Sequence, residues 1–501
     1  MHNYRKDILM LRKKYFIFHI ILGIIIMLTI PLSMFFVTLP RFVTPLILTI
    51  YALSFIFCMI KYAEKTFDRV RLIIMAFVIL SISLFGTYCN PYYNSLNFRT
   101  DPDYYSHSPY AVLSKKEAIS DLDYAMYYLK KLHPAFYSEV PEKVQSRYDE
   151  ISKKISAAET ISVCELSQDI EYIFAALRDG HSYVQMNIND PHYMKHIYSY
   201  EQRNGKIKAI NGITIEELVK QTAELYSYEA ESWQISRIKS SISTLEGLTY
   251  LGFFAEKGVT YTYELPDGTT EDITCYTDDF ITYEEYYKYN SLSDTETADT
   301  PFVYYTVDEE NSAAILTLES CSYNDEYISC LKEMFTEVKE KGIKNVAVDL
   351  RSNGGGSSLV ADEFIRYLDV DKYNTGTLKW RWGCFMIPFT YNEMENDKYT
   401  DLTFTGDVYI LTSANSFSSA MLFPQYIKDN GLGSIIGEAP GNDPNGYGEI
   451  AMFKLPDSQL YMQISTKRFF RIDQSTDEFL VEPHIPCDSE NAIDVFYETI
   501  K

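Results

Sequence analysis

Hydrophobic and polar positions fall into three regimes along the chain. In the first, the runs 15–39, 42–60 and 72–89 are almost continuously apolar. Each approaches the roughly 20 residues that cross a bilayer core, so the pattern predicts three transmembrane helices within 15–89, behind an N-terminal segment of 1–14. Lys and Arg crowd before the first run and between the second and third, with only Arg41 between the first two. The positive-inside bias then puts 1–14 in the cytoplasm and everything beyond about residue 90 outside. Residues 90–113 carry turn formers without periodicity and read as a linker.

The second regime is helical. Ile119, Leu122, Met126, Leu129 and Leu132 recur at helix spacing behind Ser114 and Glu117, the two ends of a capping box, and Pro134 closes the run. Leu166, Ile170, Phe174 and Leu177 repeat the device behind Ser162 and Glu165, with Gly180 as the expected C-terminal cap. "HSYVQM" then alternates as a strand, so His181 sits on a helix-to-strand corner. These elements define a helical subdomain over 114–190. Residues 191–300 read as a β-rich insertion: "KIKAINGITIEEL" is strand, turn and helix, a hairpin folds around Asp267-Gly268, and an acidic tail covers 291–300.

From 301 to 501 strand and helix alternate. "AAILTL", "VAVDL", "DVYILTS" and "SIIGE" are apolar enough for a largely parallel sheet covered by helices. Ligands in such sheets gather at the carboxyl ends of strands. Two strings fall there, "RSNGGGSS" after Leu350 and "SANSFSSAML" after the strand that contains Leu411.

Charge narrows the function classes. Residues 1–100 carry 11 Lys and Arg against 3 Asp and Glu, whereas the whole chain carries 45 against 69. The acidic major part excludes a phosphate-binding surface, and with it nucleic acid as a partner. Eight cysteines form no CxxC pair and no metal-finger spacing; Cys321 and Cys330 are close enough in sequence to bridge or to stay free. His192 and His196 lie four apart, but Tyr193 stands where a zinc-binding HExxH needs glutamate, so no metal is expected.

Ser418 falls where a buried strand gives way to a helix, among free N–H groups at the positive end of the dipole. A serine held there can attack a carbonyl while the Ser419 amide and one from Gly354 or Gly355 hold the oxyanion. Taken alone, "SFSS" reads as a helix cap. The glycine run lacks the lysine of a P-loop.

"LRDGHSYV", "VAVDLRSNGGGSS", "LTSANSFSSAMLF" and "IIGEAPGNDPNGYGE", in that order, resemble the serine peptidases that comprise C-terminal processing (tail-specific) proteases and tricorn-core proteases. The resemblance runs from about 114 to 490. It implies a crotonase-like α/β catalytic core with a PDZ-like module within 191–300, and no cofactor. It also implies Ser418 as nucleophile and Gly354, Gly355 and Ser419 as the oxyanion region. Processing proteases place a lysine base about two dozen residues after the serine. Here Asp443 stands there, and no lysine occurs between Lys428 and Lys454. The tricorn-like branch uses a histidine, matched by His181, and an orienting acid, for which Asp477, Glu478 and Glu482 are the candidates. The expected protein is a membrane-anchored extracytoplasmic serine endopeptidase acting on peptides or proteins. The rival is a non-catalytic carrier or sensor on the same fold that binds apolar ligands or peptides.

Overall fold

The computed structural model describes residues 10, 14–27, 43–61, 66–97, 99, 102–193, 195–197, 206–282, 285–286, 301–390 and 393–501. Contacts divide the chain into two units. The first comprises Met1–Tyr104 with the short pieces Arg381–Met386 and Ala451–Lys454. It holds helices over 14–27, Val43–Lys61 and Thr66–Cys89. Among the described residues only Thr66–Cys89, with 24 residues, is long and apolar enough to cross a membrane. The apolar stretches Lys14–Met27 and Leu46–Ile60 are shorter. The three-crossing expectation is therefore not supported. Residues 28–39 of its first run lie outside the described residues.

The second unit carries the helical subdomain, the insertion and the α/β core. Ser114 and Glu117 form the predicted capping box before the helix Lys115–Leu132. Helix α1 (Val163–Phe174) begins with the Ser162 hydroxyl accepting from the Glu165 amide. It tightens into a short turn at Ala175–Leu177, and Arg178, at φ 52°, takes the left-handed cap position expected for Gly180. Gly180 is small for another reason. A Cβ there would lie 2.8 Å from Glu229 Oε2 and 2.9 Å from the Phe417 ring.

The described part of the insertion contains a four-stranded antiparallel sheet with the predicted hairpin, Val259–Glu264 against Thr270–Cys275. The Asn211-Gly212 turn leads into a short strand and then the helix Ile215–Thr222 as expected. Its core, including Ile210, Leu218, Ile238, Leu248 and Tyr261, is separate from that of the α/β sheet. Helix α2 (Glu231–Ile242) contributes Ile238 and Ile242 to that core. The acidic tail 291–300 lies outside the described residues.

The α/β core holds a six-stranded sheet in simple sequential order: β1 (Val303–Asp308), β2 (Ala313–Leu318), β3 (Asn345–Asp349), β4 (Asp407–Thr412), β5 (Ser434–Gly437) and β6 (Ile485–Pro486). Strand β1 is antiparallel to β2 and every other pair is parallel. Helices α3 (Asp325–Lys341), α4 (Leu359–Ile365) and α5 (Ser419–Asp429) pack Leu331, Phe335, Phe364 and Phe423 onto Val346, Val348 and Ile410. The opposite face packs Ala347, Leu411 and Ile436 against Phe496. Coverage of both faces explains why the strands are continuously apolar rather than alternating. In the register, Asp349 at the end of β3 stands opposite Leu411 of β4, so the glycine string and the serine string leave the sheet side by side. Helix α5 runs through Pro424 without a break in its span. Cys321 and Cys330 are free thiols, and Cys321 contacts Asn353 Oδ1 at 3.5 Å instead of bridging to Cys330.

Candidate active site

The two strings are clamped together. Asn353 accepts the Phe417 amide on its carbonyl oxygen, while its side chain donates to Leu318 O and accepts from the Gly355 amide. Ser416 donates to Leu350 O, and Ser419 Oγ donates to Gly356 O. Between them Ser418 adopts φ 58° and ψ −121°, a conformation non-glycine residues avoid. Its amide donates to Asn442 Oδ1 at 2.7 Å, which compensates part of that strain. Gly355, at φ 107°, leaves room for the turn: a Cβ there would lie 2.7 Å from both Phe417 O and Ser418 Cβ. The thing that comes close to this backbone is the serine turn itself.

Ser418 opens into a cavity of about 1120 Å³ that His181, Trp233, Gly354, Ser419 and Asn442 also line. The N–H groups of Gly354, Gly356 and Ser419 have no partner among the described residues. The Gly355 amide is already committed to Asn353, which removes it from the predicted oxyanion set. Gly355 is needed for space rather than for its donor.

His181 is brought to the same place. Its ring packs against Phe417, the residue before Ser418, with centroids 4.6 Å apart, and neither ring nitrogen has a hydrogen bond. The corner is fixed by its backbone: the His181 carbonyl accepts from Gln463, and the Ser182 hydroxyl accepts from the Ser465 amide. Nδ1 lies 3.8 Å from Asp179 Oδ1. Burial lowers the imidazole below its ordinary 6.5, partly opposed by the Asp179 charge. The ring is thus neutral at neutral pH.

Asp179 is fully buried. Burial alone would raise its carboxyl, but hydrogen bonds and charge from His133, His181 and Ser182 outweigh this and bring it to about 2. Oδ1 accepts the His181 amide at 3.0 Å, while Oδ2 accepts from Ser182 Oγ and meets His133 Nε2 at 3.0 Å. A second carboxyl, Glu229, is buried beside Gly180 with neither oxygen hydrogen-bonded. Burial, then the charge of Asp179, pushes its pKa well above 4.5. Ligand atoms of Asp179, His181 and Glu229 lie within 4.8 Å of one another. Both Asp179 oxygens are already engaged, so the trio serves poorly as a cation cage.

The predicted acids lie elsewhere. Asp477 is exposed and does not line the cavity. Glu478 is ion-paired with Lys428 and Arg471. Glu482 is exposed, and its carbonyl accepts from Lys428. The carboxylate facing the imidazole is Asp179, two residues before it. An aspartate that bonds the backbone two residues on is an Asx turn, so "DGH" held the signal. Asp443 does line the cavity, with its carboxyl raised by burial. Among the described residues the cavity's lysine is Lys467, which is paired with Glu449 at 2.7 Å.

Residues 312–487 match the model of peptidase family S41. That region is an S41 peptidase domain. The protein is therefore a serine-type peptidase, and it resembles the C-terminal processing and tricorn-like peptidases. Among solved structures it is similar to a mutant of CPAF at 12% identity and TM-score 0.54, over 77% of this chain and 95% of that one. It is also similar to mature CPAF complexed with lactacystin, at 11% identity and TM-score 0.53, over 77% and 96%. A photosystem II D1 C-terminal processing protease aligns at 12% identity and TM-score 0.42, over 75% and 94%. At these identities the likeness is one of fold. No curated protein matches the chain.

Proposed function

We propose that this S41 peptidase domain is an active endopeptidase in which Ser418 is the nucleophile and His181 its base. The observation that supports this most strongly is the strained Ser418 turn opening, with His181, into one cavity beside unpaired amides. In the first step His181 Nε2 takes the Ser418 proton as Oγ bonds to the peptide carbonyl carbon. The oxyanion is held by the Ser419 amide with Gly354 or Gly356. The imidazolium, favoured by the Asp179 charge at Nδ1, gives its proton to the leaving amine as the C–N bond breaks. Water, deprotonated by the same imidazole, then releases the acyl group and regenerates Ser418. Asp179, held at about 2, stays ionised throughout, while burial and the Asp179 charge raise the neighbouring Glu229 carboxyl well above its usual range.

Membrane association fits the apolar helix Thr66–Cys89, with Lys61, Lys65, Arg69 and Arg71 at or before its first turns. As a single span with that basic flank inside, it would put the peptidase domain outside the cytoplasm. Degradation of an unfolded protein by detergent-solubilised full-length chain tests the activity. Loss of cleavage in both Ser418→Ala and His181→Ala is expected. Undiminished cleavage in either variant overturns the assigned role, and a folded wild-type protein that cleaves nothing favours a carrier.

A further inference from the structure

Helix α2 brings a cation to the wall of the catalytic cavity. Its Trp233 ring stacks on Phe417 with centroids 4.6 Å apart, and Phe417 in turn packs on His181. The Arg237 guanidinium lies 5.3 Å from the Trp233 ring centroid and 5.9 Å from that of Tyr183. It is thus held by two aromatic faces, one ring removed from the nucleophile's neighbour. Among the described residues the contacts of the Arg237 guanidinium are these two rings, and no carboxylate lies within ion-pair distance of it.

The carboxyl on which the Arg237 charge acts is Glu171, in the lining of the adjoining cavity. Glu171 Oε2 accepts the Val184 amide and Oε1 the Ser227 amide, both at 2.8 Å, so its oxygens are turned to backbone rather than to Arg237. Burial pushes that carboxyl up to about 8, so at neutral pH it offers the guanidinium little compensating charge. An unpaired guanidinium is unusual in a chain with a formal charge of −24.

Arg237 also lines this second cavity, of about 250 Å³, together with Tyr183, Tyr226, Glu246 and Tyr250. Tyr183, Trp233, Arg237 and Ser240 belong to both spaces. The smaller one is below the roughly 300–1,000 Å³ of pockets that take whole ligands, and it branches from the cavity that would hold the peptide. Its scale suits one side chain. The planar guanidinium matches a carboxylate bidentately, and two aromatic faces fix its plane before substrate arrives.

We propose that Arg237 forms a specificity subsite for an acidic side chain of the substrate, seated in the side cavity beside the catalytic centre. This rests on the peptidase reading above. It adds a substrate preference: peptides bearing Asp or Glu at one fixed position relative to the scissile bond are cleaved best. The test uses full-length protein and internally quenched peptides blocked at both ends, so that no terminal carboxylate contributes. Glu, Gln and Lys are placed in turn at each of the positions flanking the cut. The expected result is one position at which Glu exceeds Gln by roughly 10- to 100-fold in kcat/KM and Lys is poorest. In Arg237→Gln the Glu-to-Gln ratio should fall to near one, in Arg237→Glu the Lys peptide should become the best of the three, and in Arg237→Lys the preference for Glu should persist. Equal rates for all three peptides at every position with the wild-type protein overturn the subsite and leave the peptidase reading intact. So does a Glu preference that survives in Arg237→Gln. A wild-type protein that cleaves none of the peptides and does not react with a fluorophosphonate overturns the peptidase reading itself.

Discussion

Asp179→Asn is the substitution on which the site's electrostatics can be weighed. The two carboxylate oxygens accept from the His181 amide and Ser182 Oγ and meet His133 Nε2. Asparagine offers one oxygen and one NH2 in the same volume, so at least one donor is left facing a donor. Losing a charge-assisted hydrogen bond costs about 1.5–3 kcal/mol, and a buried polar group left unpaired adds about 1–3 kcal/mol. The depression of the carboxyl from 3.8 to about 2 corresponds to ~2.5 kcal/mol of preference for the ionised form, the same scale. Unfolding in urea should therefore show a loss of about 2–4 kcal/mol at neutral pH. Because the folded carboxyl lies below its unfolded value, this contribution is complete above about pH 4 and is lost as the pH falls toward 2.

The effect on chemistry is separate. Asp179 Oδ1 stands 3.8 Å from His181 Nδ1. At an effective dielectric constant near 20 a unit charge at that distance favours the imidazolium by about 4 kcal/mol. That figure corresponds to about a 1,000-fold loss in the rate at which Ser418 reacts with a fluorophosphonate, and a 100-fold loss is the least expected. Asp477→Asn, exposed and outside the cavity, is the control and should react at the wild-type rate. An Asp179→Asn protein that keeps the full reaction rate, or an Asp477→Asn protein that loses as much, refutes the assignment of the orienting acid.

Gly355→Ala should abolish activity and lower stability by several kcal/mol, because the added Cβ meets Phe417 O and Ser418 Cβ at 2.7 Å and the residue sits at φ 107°; a melting curve and reaction rate unchanged from wild type would show that the turn has slack. The acid limb of the activity profile should lie below pH 6.5, since burial lowers the His181 pKa and the neutral ring is the working form; a limb centred above pH 6.5, or one that persists unchanged in the residual activity of His181→Ala, removes His181 from the base role. Glu229→Gln should gain in stability on wild type as the pH rises, because burial holds the native carboxyl well above its usual range and its ionisation then opposes folding; urea unfolding across pH 5 to 9 that shows a constant difference between the two proteins would contradict this. A loss in Glu229→Gln equal to that in Glu229→Ala would mean that the native group is charged.

Much of this architecture was legible because local signals agreed with the fold. The Ser114–Glu117 box, the Ser162 cap, the Asn211-Gly212 turn and the 264–270 hairpin each act within a few residues, and the structure contains them all. The apolar strands of the core announced a sheet covered on both faces, and the register of β3 with β4 brings the two strings together. In the membrane region three apolar runs of similar length were each read as a span, whereas among the described residues Thr66–Cys89 is the one helix long and apolar enough to cross a membrane. The carboxylate beside the imidazole went unread for a different reason. Motif position pointed to Asp477, whereas the turn that exposes His181 carries its own carboxylate at Asp179. The roles within the glycine run were also hidden, because which of three consecutive amides stays free depends on Asn353, whose side chain claims that of Gly355. Nothing in the local pattern connects α2 to the serine string; only tertiary packing sets Trp233 on Phe417.

The central claim is that Ser418 is a nucleophile activated by His181. The most direct measurement is fluorophosphonate reaction of the full-length protein followed by peptide mass mapping of the adduct. A single adduct on Ser418 Oγ is predicted, formed at least about 100-fold more slowly in His181→Ala. An adduct on another serine, or one on Ser418 that forms equally fast without the imidazole, would contradict the account.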